Sequence, residues 1–471
     1  MPLKTEIVVV GAGPGGYAAA FYAADKGKKV ILVEREKRLG GVCLNRGCIP
    51  SKALLHATKL ISEAKESAHR GIEFTSPKIE LSKLRAWKES ILEKLGGGIA
   101  SLAKARGVEV MQGRGHFEDS KTLRVETSEG QKFVNYDHAI IAVGSKSAMP
   151  KAFDLGNPRV MTSREALEIE DVPETLLVVG GGYIGMELGT VYAALGSKAV
   201  VVEALDAVLT GADADLSRFV VRRAEKMFRE IRVKTKVLKM ATEGKQIQVE
   251  MEVDGRKNSE LYDRVLVSVG RTPNCDDLGL ENTKVERDDK GFIRVNAQQQ
   301  TADSAIFAIG DAAGGVLLAH KASKEGRIAV EAIAGEQSEF KDIIIPAVVF
   351  TDPELAWCGL TEAEARAKDI KIEVARFPWA ASGRALTHDR TDGMTKLIVD
   401  PESERILGVG ICGAGAGELI AEGVVAIEMG ATAQDLALAV HPHPTLSETL
   451  MEAAEVFYGH ATHTISRKRS D

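Results

Sequence analysis

The sequence predicts an α/β fold in which one nucleotide-binding unit is written twice and a separate α+β unit follows. Three observations carry this expectation: a glycine motif that occurs twice, a carboxylate at the same distance after each copy, and a change of pattern beyond about residue 342.

In the first copy the β-branched run Ile7 to Val10 leads into Gly11, Gly13 and Gly16 and then an Ala-rich segment. In the second, Leu176 to Val179 leads in the same way into Gly180, Gly182 and Gly185. Each predicts a buried parallel strand that turns sharply into a helix, whose free N–H groups and positive dipole end receive a pyrophosphate. The first glycine makes the turn, the second lets phosphate approach the backbone, and the third lets helix pack on strand. Glu34 and Glu203 each follow the first glycine by 23 positions and close the next strand, where a carboxylate accepts hydrogen bonds from a ribose 2′-OH. A lone GxGxxG is often just a glycine-rich turn. Two copies, each with strand, helix and spaced carboxylate, read as Rossmann-like units. Glu203 would also repel the 2′-phosphate of NADP, which selects NAD.

Each unit closes on an apolar strand ending in glycine, AIIAVGS (139–145) and RVLVSVGRTPN (264–274), and a third such strand, AIFAIGDAAG (305–314), ends in Gly310 and Asp311. Asp311 is either a ligand carboxylate at the C-terminal edge of a sheet, where open α/β folds bind their ligands, or the polar turn after a buried strand. These ends divide the chain into 1–145, 146–270, 271–341 and 342–471. The last part carries alternating strands such as IPAVVFT and TKLIVD and then helices from Ala416 onward.

Composition bounds the function. A chain of 471 residues, 44% apolar and 27% charged, is globular with several cores. A net charge of −6 disfavours a general nucleic-acid surface, and the tail Arg467, Lys468 and Arg469 reads as a solvated end. Residues 7–24 and 176–196 are apolar, yet glycines interrupt both and the second carries Glu187, so neither an export signal nor a membrane span is expected. Five cysteines are too few for a stabilising framework, which points to catalytic thiols, a reducing compartment and hence the cytoplasm.

The segment GGVCLNRGCIPSK sets Cys43 and Cys48 five positions apart. This spacing fits no zinc pairing, and no second Cys/His pair lies near, so no metal is expected. In a straight helix five residues rise about 7.5 Å, beyond the roughly 4.4–6.8 Å between the Cα atoms of a disulfide. A paired reading therefore demands a bend, for which Gly47 and Pro50 supply the means. Cys48 would then begin a helix whose dipole favours thiolate. The plain alternative is two buried free cysteines. Cys275, Cys358 and Cys412 have no partner at such a spacing and read as buried thiols.

With GAGPGG before it and GGGYIGMELG after it, GGVCLNRGCIPSK resembles the pyridine nucleotide–disulfide oxidoreductases, most of all their lipoamide dehydrogenase branch, from Glu6 to about Tyr458. The resemblance implies FAD in the first unit, with Glu34 on its adenosine ribose and Asp311 on its ribityl chain, and NAD in the second. It implies that 271–341 packs with the FAD unit, that the C-terminal unit dimerises, and that Cys43 and Cys48 form the redox disulfide. Lys52 would lie by the isoalloxazine N5, paired with Glu187, with Gly115 and Ala319 at further flavin positions. Gly270 and Arg271, in GRTPN, match a stretch that touches the nucleotide. Tyr183 departs from the small aliphatic residue frequent in this branch and resembles the aromatic over the nicotinamide pocket of glutathione reductases; the alternative is a packing aromatic.

In HPHPTLSE, His443 and Glu448 resemble the family's base and its orienting carboxylate, with His441 as the competitor. The family takes this histidine from the other subunit, which implies a homodimer, and a cis His443–Pro444 bond is open. The implied activity passes electrons from protein-bound dihydrolipoyl groups, on lipoyl domains of 2-oxo acid dehydrogenase complexes or the glycine cleavage system, through the cysteine pair and FAD to NAD. Glutathione and trypanothione reductases are disfavoured by Glu203, mercuric reductase by the lack of a C-terminal cysteine pair, and NADH oxidases or transhydrogenases by the presence of both cysteines. A non-enzymatic dinucleotide-binding redox sensor would not need Cys43, Cys48, His443 and Glu448 together.

Overall fold

The hub of the first sheet is the strand Leu3–Val10, which pairs in parallel with Val30–Glu34 on one side and with Gly130–Ile141 on the other. The computed structural model describes residues 2–465, so the basic tail Arg467, Lys468 and Arg469 lies outside the described residues. Glu109–Gln112 extends the sheet beyond Val30–Glu34, while Thr122–Thr127 and Arg114–Asp119 form an antiparallel meander on the far side of Gly130–Ile141. Ile7, Val8 and Val9 are fully buried, as a parallel strand covered on both faces must be. One face packs against Ala19, Ala20 and Ala23 of the helix Pro14–Asp25 and Ala329 of the helix Ala319–Ile333. After the second unit the chain returns here: Ile306–Ala308 joins the sheet in parallel with Gly130–Ile141.

The second sheet is parallel throughout, in the order Glu230–Arg232, Lys198–Val202, Thr175–Val179, Arg264–Val267, Val160–Met161. An antiparallel three-stranded sheet of Thr235–Glu243, Gln246–Val253 and Arg256–Tyr262 packs beside it. Where the chain crosses between the two units, Ser145–Ser147 and Arg271–Pro273 pair as a short antiparallel ribbon.

The third sheet is antiparallel, in the order Ala347–Val349, Glu354–Gly359, Ile406–Gly413, Met394–Val399, Glu373–Pro378. The helices Ala416–Glu428 and Glu448–Tyr458 cover it over a core that includes the fully buried Trp379. The α/β class is the one the glycine repeat predicts, and the α+β unit beyond residue 342 has the expected strands and helices.

Candidate active site

The two glycine loops solve the same steric problem with the same atoms. Gly11 and Gly180 turn the chain at φ +102° and +105°, and a Cβ on either would stand 2.4 or 2.5 Å from a carbonyl oxygen, of Ala142 or Ser268. Gly16 and Gly185 bring helix onto strand so closely that a Cβ would meet the oxygen of Gly11 or Gly180 at 1.8 or 2.1 Å. The middle glycines differ: nothing lies within 4 Å of a Cβ on Gly182, and only the Cα of Gly41, at 3.9 Å, lies near one on Gly13. Space is thus left open at the N-termini of Pro14–Asp25 and Tyr183–Leu195, where the helix dipole attracts an anion. Each spaced carboxylate braces its loop. Glu34 accepts from the N–H of Ala12 at 2.8 Å and of Glu36 at 3.0 Å; Glu203 accepts from Gly181 at 2.7 Å and Leu205 at 2.9 Å. Both loops therefore fit the diphosphate of a dinucleotide, with a carboxylate held beside the next strand.

Between the first carboxylate and the next helix, the chain breaks as the spacing of the cysteines requires. The helix Gly41–Arg46 stops, Gly47 takes up the turn, and Cys48 opens the helix Cys48–Glu66 with Pro50 in its first turn. Cys43 and Cys48 are free thiols here and hydrogen-bond to each other. That bond lowers the Cys48 thiol to about 7, helped by the charge of Lys52 against the opposing effect of burial. The same bond, with burial, pushes Cys43 the other way. Of the two, Cys48 is therefore the more readily ionised. Lys52, one turn further along the helix, donates to Glu187 Oε2 at 2.8 Å. Glu187 is only 3% exposed, and its other oxygen accepts from the N–H of Phe350 at 3.0 Å.

Both cysteines, Lys52 and Glu187 line a cavity of about 490 Å³ together with Gly11, Gly13, Glu34, Gly115, Asp311 and Ala319. Ala319 begins the helix Ala319–Ile333, whose N-terminus thereby faces the cavity. Asp311 accepts from the hydroxyl of Ser145, to which Arg271 donates through Nε at 2.6 Å, with a second bond from Arg271 Nη2 to Ser145 O at 2.8 Å. Behind Asp311, the buried Lys321 and Glu325 pair at 2.7 Å, and Glu325 accepts from the N–H of Gly310. A second cavity, of about 620 Å³, is lined by Gly180, Gly182, Glu203 and Gly270. Tyr183, Ile184, Arg271 and Leu317 line both cavities. Tyr183, 40% exposed, stands at this shared wall and not in a core.

The C-terminal histidines part company. His441 is enclosed, with Nε2 2.7 Å from Glu422 and Nδ1 2.8 Å from the Ala439 carbonyl, so both ring nitrogens are engaged. His443, in the cis His443–Pro444 turn, keeps a side chain 72% exposed, with Nδ1 2.8 Å from Glu448 Oε1. Burial would raise the Glu448 carboxyl, but the N–H of Thr445 and the ring of His443 outweigh it, and the net is a lowered value. A carboxylate on Nδ1 makes that nitrogen the donor and leaves Nε2 as the basic site. Among the described residues none beyond Ala322 lines the cysteine cavity, so within one chain His443 is not brought to Cys43 and Cys48.

Cys275, Cys358 and Cys412 are buried free thiols. Asp213, Asp215 and Glu362 converge as cation ligands do, but Lys396 Nζ sits among them at 2.5, 2.8 and 2.9 Å and supplies the positive charge. Three contributors escaped the sequence reading: Ser145, the Lys321–Glu325 pair and Phe350. Only Lys321–Glu325 left a local signal, an i,i+4 pair.

The chain matches the family model described as pyridine nucleotide-disulphide oxidoreductase over residues 5–326, and that family's dimerisation domain over residues 345–454. It is 47% identical to a protein of Vibrio cholerae named dihydrolipoyl dehydrogenase, over 98% of this chain and 97% of the relative. A Bacillus subtilis protein of the same name is 44% identical, over 98% of each. Among solved structures, LpdA from Mycobacterium tuberculosis superposes with a TM-score of 0.89 at 26% identity, covering 96% of this chain and 99% of that one. The HOCl-induced flavoprotein disulfide reductase RclA from Escherichia coli does so with a TM-score of 0.84 at 26% identity, covering 94% and 98%. Among the described residues no helix is long and apolar enough to cross a membrane. Paired dinucleotide loops, a cysteine pair at a helix start and a dimerisation domain, matched along nearly the whole length, show that this chain belongs to the pyridine nucleotide-disulphide oxidoreductase family and that its cofactors are FAD and NAD.

Proposed function

We propose that this chain is a dihydrolipoyl dehydrogenase, oxidising protein-bound dihydrolipoyl groups and reducing NAD. The observation that carries the reading is the position of Cys48: a thiol lowered to about 7 beside Lys52, in a cavity that shares a wall with the one holding Glu203. Gly11, Gly13, Gly16, Glu34, Gly115, Asp311 and Ala319 would hold FAD. Gly180, Gly182, Gly185, Glu203, Gly270 and Arg271 would hold NAD, with Tyr183 over the nicotinamide end. When bound, FAD relays the electron pair from the dithiol to NAD.

The protein's own part is thiol chemistry. Nε2 of His443, from the partner chain of a homodimer, takes a proton from the incoming dihydrolipoyl thiol, because thiolate is the attacking species. The thiolate attacks Sγ of Cys43 in the oxidised pair. The Cys43–Cys48 bond breaks, and Cys48 leaves as a thiolate stabilised by its helix N-terminus and by Lys52. The second dihydrolipoyl sulfur then attacks the first as Cys43 leaves and takes the proton that His443 holds; His443 in turn accepts the proton of the second thiol, so that lipoyl disulfide is freed, Cys43 is a thiol, and the second proton rests on His443 while Cys48 remains a thiolate. The partners on this reading are lipoyl domains of 2-oxo acid dehydrogenase complexes or the glycine cleavage system, and the cysteine usage suits the reducing cytoplasm.

Steady-state assay of the purified holoprotein tests this. Dihydrolipoamide with NAD should be turned over, and glutathione disulfide with NADPH should not; the reverse preference rejects the proposal.

A further inference from the structure

The three units converge on one ammonium group. Lys52 comes from the first unit, Glu187 from the second and Phe350 from the third. The Lys52 Nζ lies 2.8 Å from Glu187 Oε2 and stands over the Phe350 ring, 4.6 Å from its centroid. The N–H of the same Phe350 occupies the other oxygen of Glu187 at 3.0 Å. One residue thus holds both partners of the ion pair, the cation by its ring face and the anion by its backbone.

The segment carrying Phe350 is itself fixed. Thr351, buried, donates to the Pro353 carbonyl at 2.8 Å. Asp352 pairs with Arg390 and, at 3.4 Å, with Arg223, which also pairs with Glu66 at the end of the helix that begins at Cys48. Lys52 therefore has little freedom to leave its position, and its charge favours thiolate at Cys48. An ammonium over an aromatic face is attracted by the ring quadrupole, and more strongly where water is excluded.

We propose that Phe350 is a positioning residue that pins the Lys52–Glu187 pair and thereby sets how readily Cys48 ionises. This rests on the roles given above to Cys48 and Lys52, and the experiment separates the two claims. The readout is the long-wavelength absorbance of the dithiol-reduced holoprotein, followed against pH, which reports Cys48 as thiolate. Phe350→Met keeps the backbone N–H and most of the volume but removes the ring face; Phe350→Tyr keeps both. The expected result is a midpoint about half a pH unit higher in Phe350→Met, the wild-type midpoint in Phe350→Tyr, and a larger rise in Lys52→Met. A Phe350→Met curve that superposes on wild type while Lys52→Met shifts overturns the role of Phe350 and leaves that of Lys52. An unshifted Lys52→Met overturns the reading of Lys52 itself. Should Phe350→Met not fold, Phe350→Leu is measured in its place against the same two outcomes.

Discussion

Cys48 and Cys43 are chemically the same side chain, and their surroundings push them in opposite directions. Cys48 opens a helix near Lys52, while Cys43 is partly buried and holds its proton by donating a hydrogen bond to Cys48. Cys48 should therefore lose its proton as pH rises through about 7, so the long-wavelength absorbance of the dithiol-reduced holoprotein should fade as pH is lowered through that value. Cys48→Ser should lack the band while retaining its flavin; persistence of the band removes Cys48 from its assigned role. At the base, His443→Gln should cost about 10²–10⁴ in turnover with dihydrolipoamide, measured at saturating NAD, whereas His441→Gln should cost little, since both nitrogens of His441 serve structure. These residues were legible because each sits in a short stretch whose spacing implies a geometry: Cys43-x4-Cys48 demanded the bend found at Gly47. Phe350 and Ser145 were not, because their contacts span 163 and 166 positions of sequence and no local pattern encodes an encounter at that distance.

The strand–turn–helix element shows how much of a fold three glycines can dictate. Their three jobs follow from where a Cβ would go, and the jobs make different predictions. Gly185→Ala would drive a methyl to 2.1 Å from the Gly180 oxygen, and should destabilise the second unit on the scale of an overpacked core, by about 1–3 kcal/mol or more. Gly182→Ala meets nothing within 4 Å and sits at φ −72°, so its unfolding free energy should stay within about 1 kcal/mol of wild type. Its methyl would nevertheless occupy the approach of the phosphates, and NADH binding, followed by calorimetry, should weaken. Equal loss of stability in both variants would contradict this division of labour. The motif was readable as an element because strand, glycines and carboxylate are all local. The return of Ile306–Ala308 to the first sheet, across the whole second unit, is a topological fact that its apolar run alone did not specify.

At the scale of the molecule, one chain brings the cysteine pair, Lys52 and Glu187 to a single cavity but leaves His443 exposed elsewhere, on the unit that matches a dimerisation domain. The proposed centre is therefore complete only between two chains, the thiols of one meeting the imidazole of the other. By this logic a homodimer of Cys48→Ser should be inactive and one of His443→Gln should keep at most about 1% of wild-type turnover, since every site lacks a part. Refolding the two variants together settles whether the parts are shared. Half of the dimers formed at random would be mixed, and each mixed dimer would hold one intact site, so activity with dihydrolipoamide and NAD should recover to about a quarter of wild type. No recovery, in a mixture shown to contain mixed dimers, would mean that thiols and base act within one chain and would contradict the account.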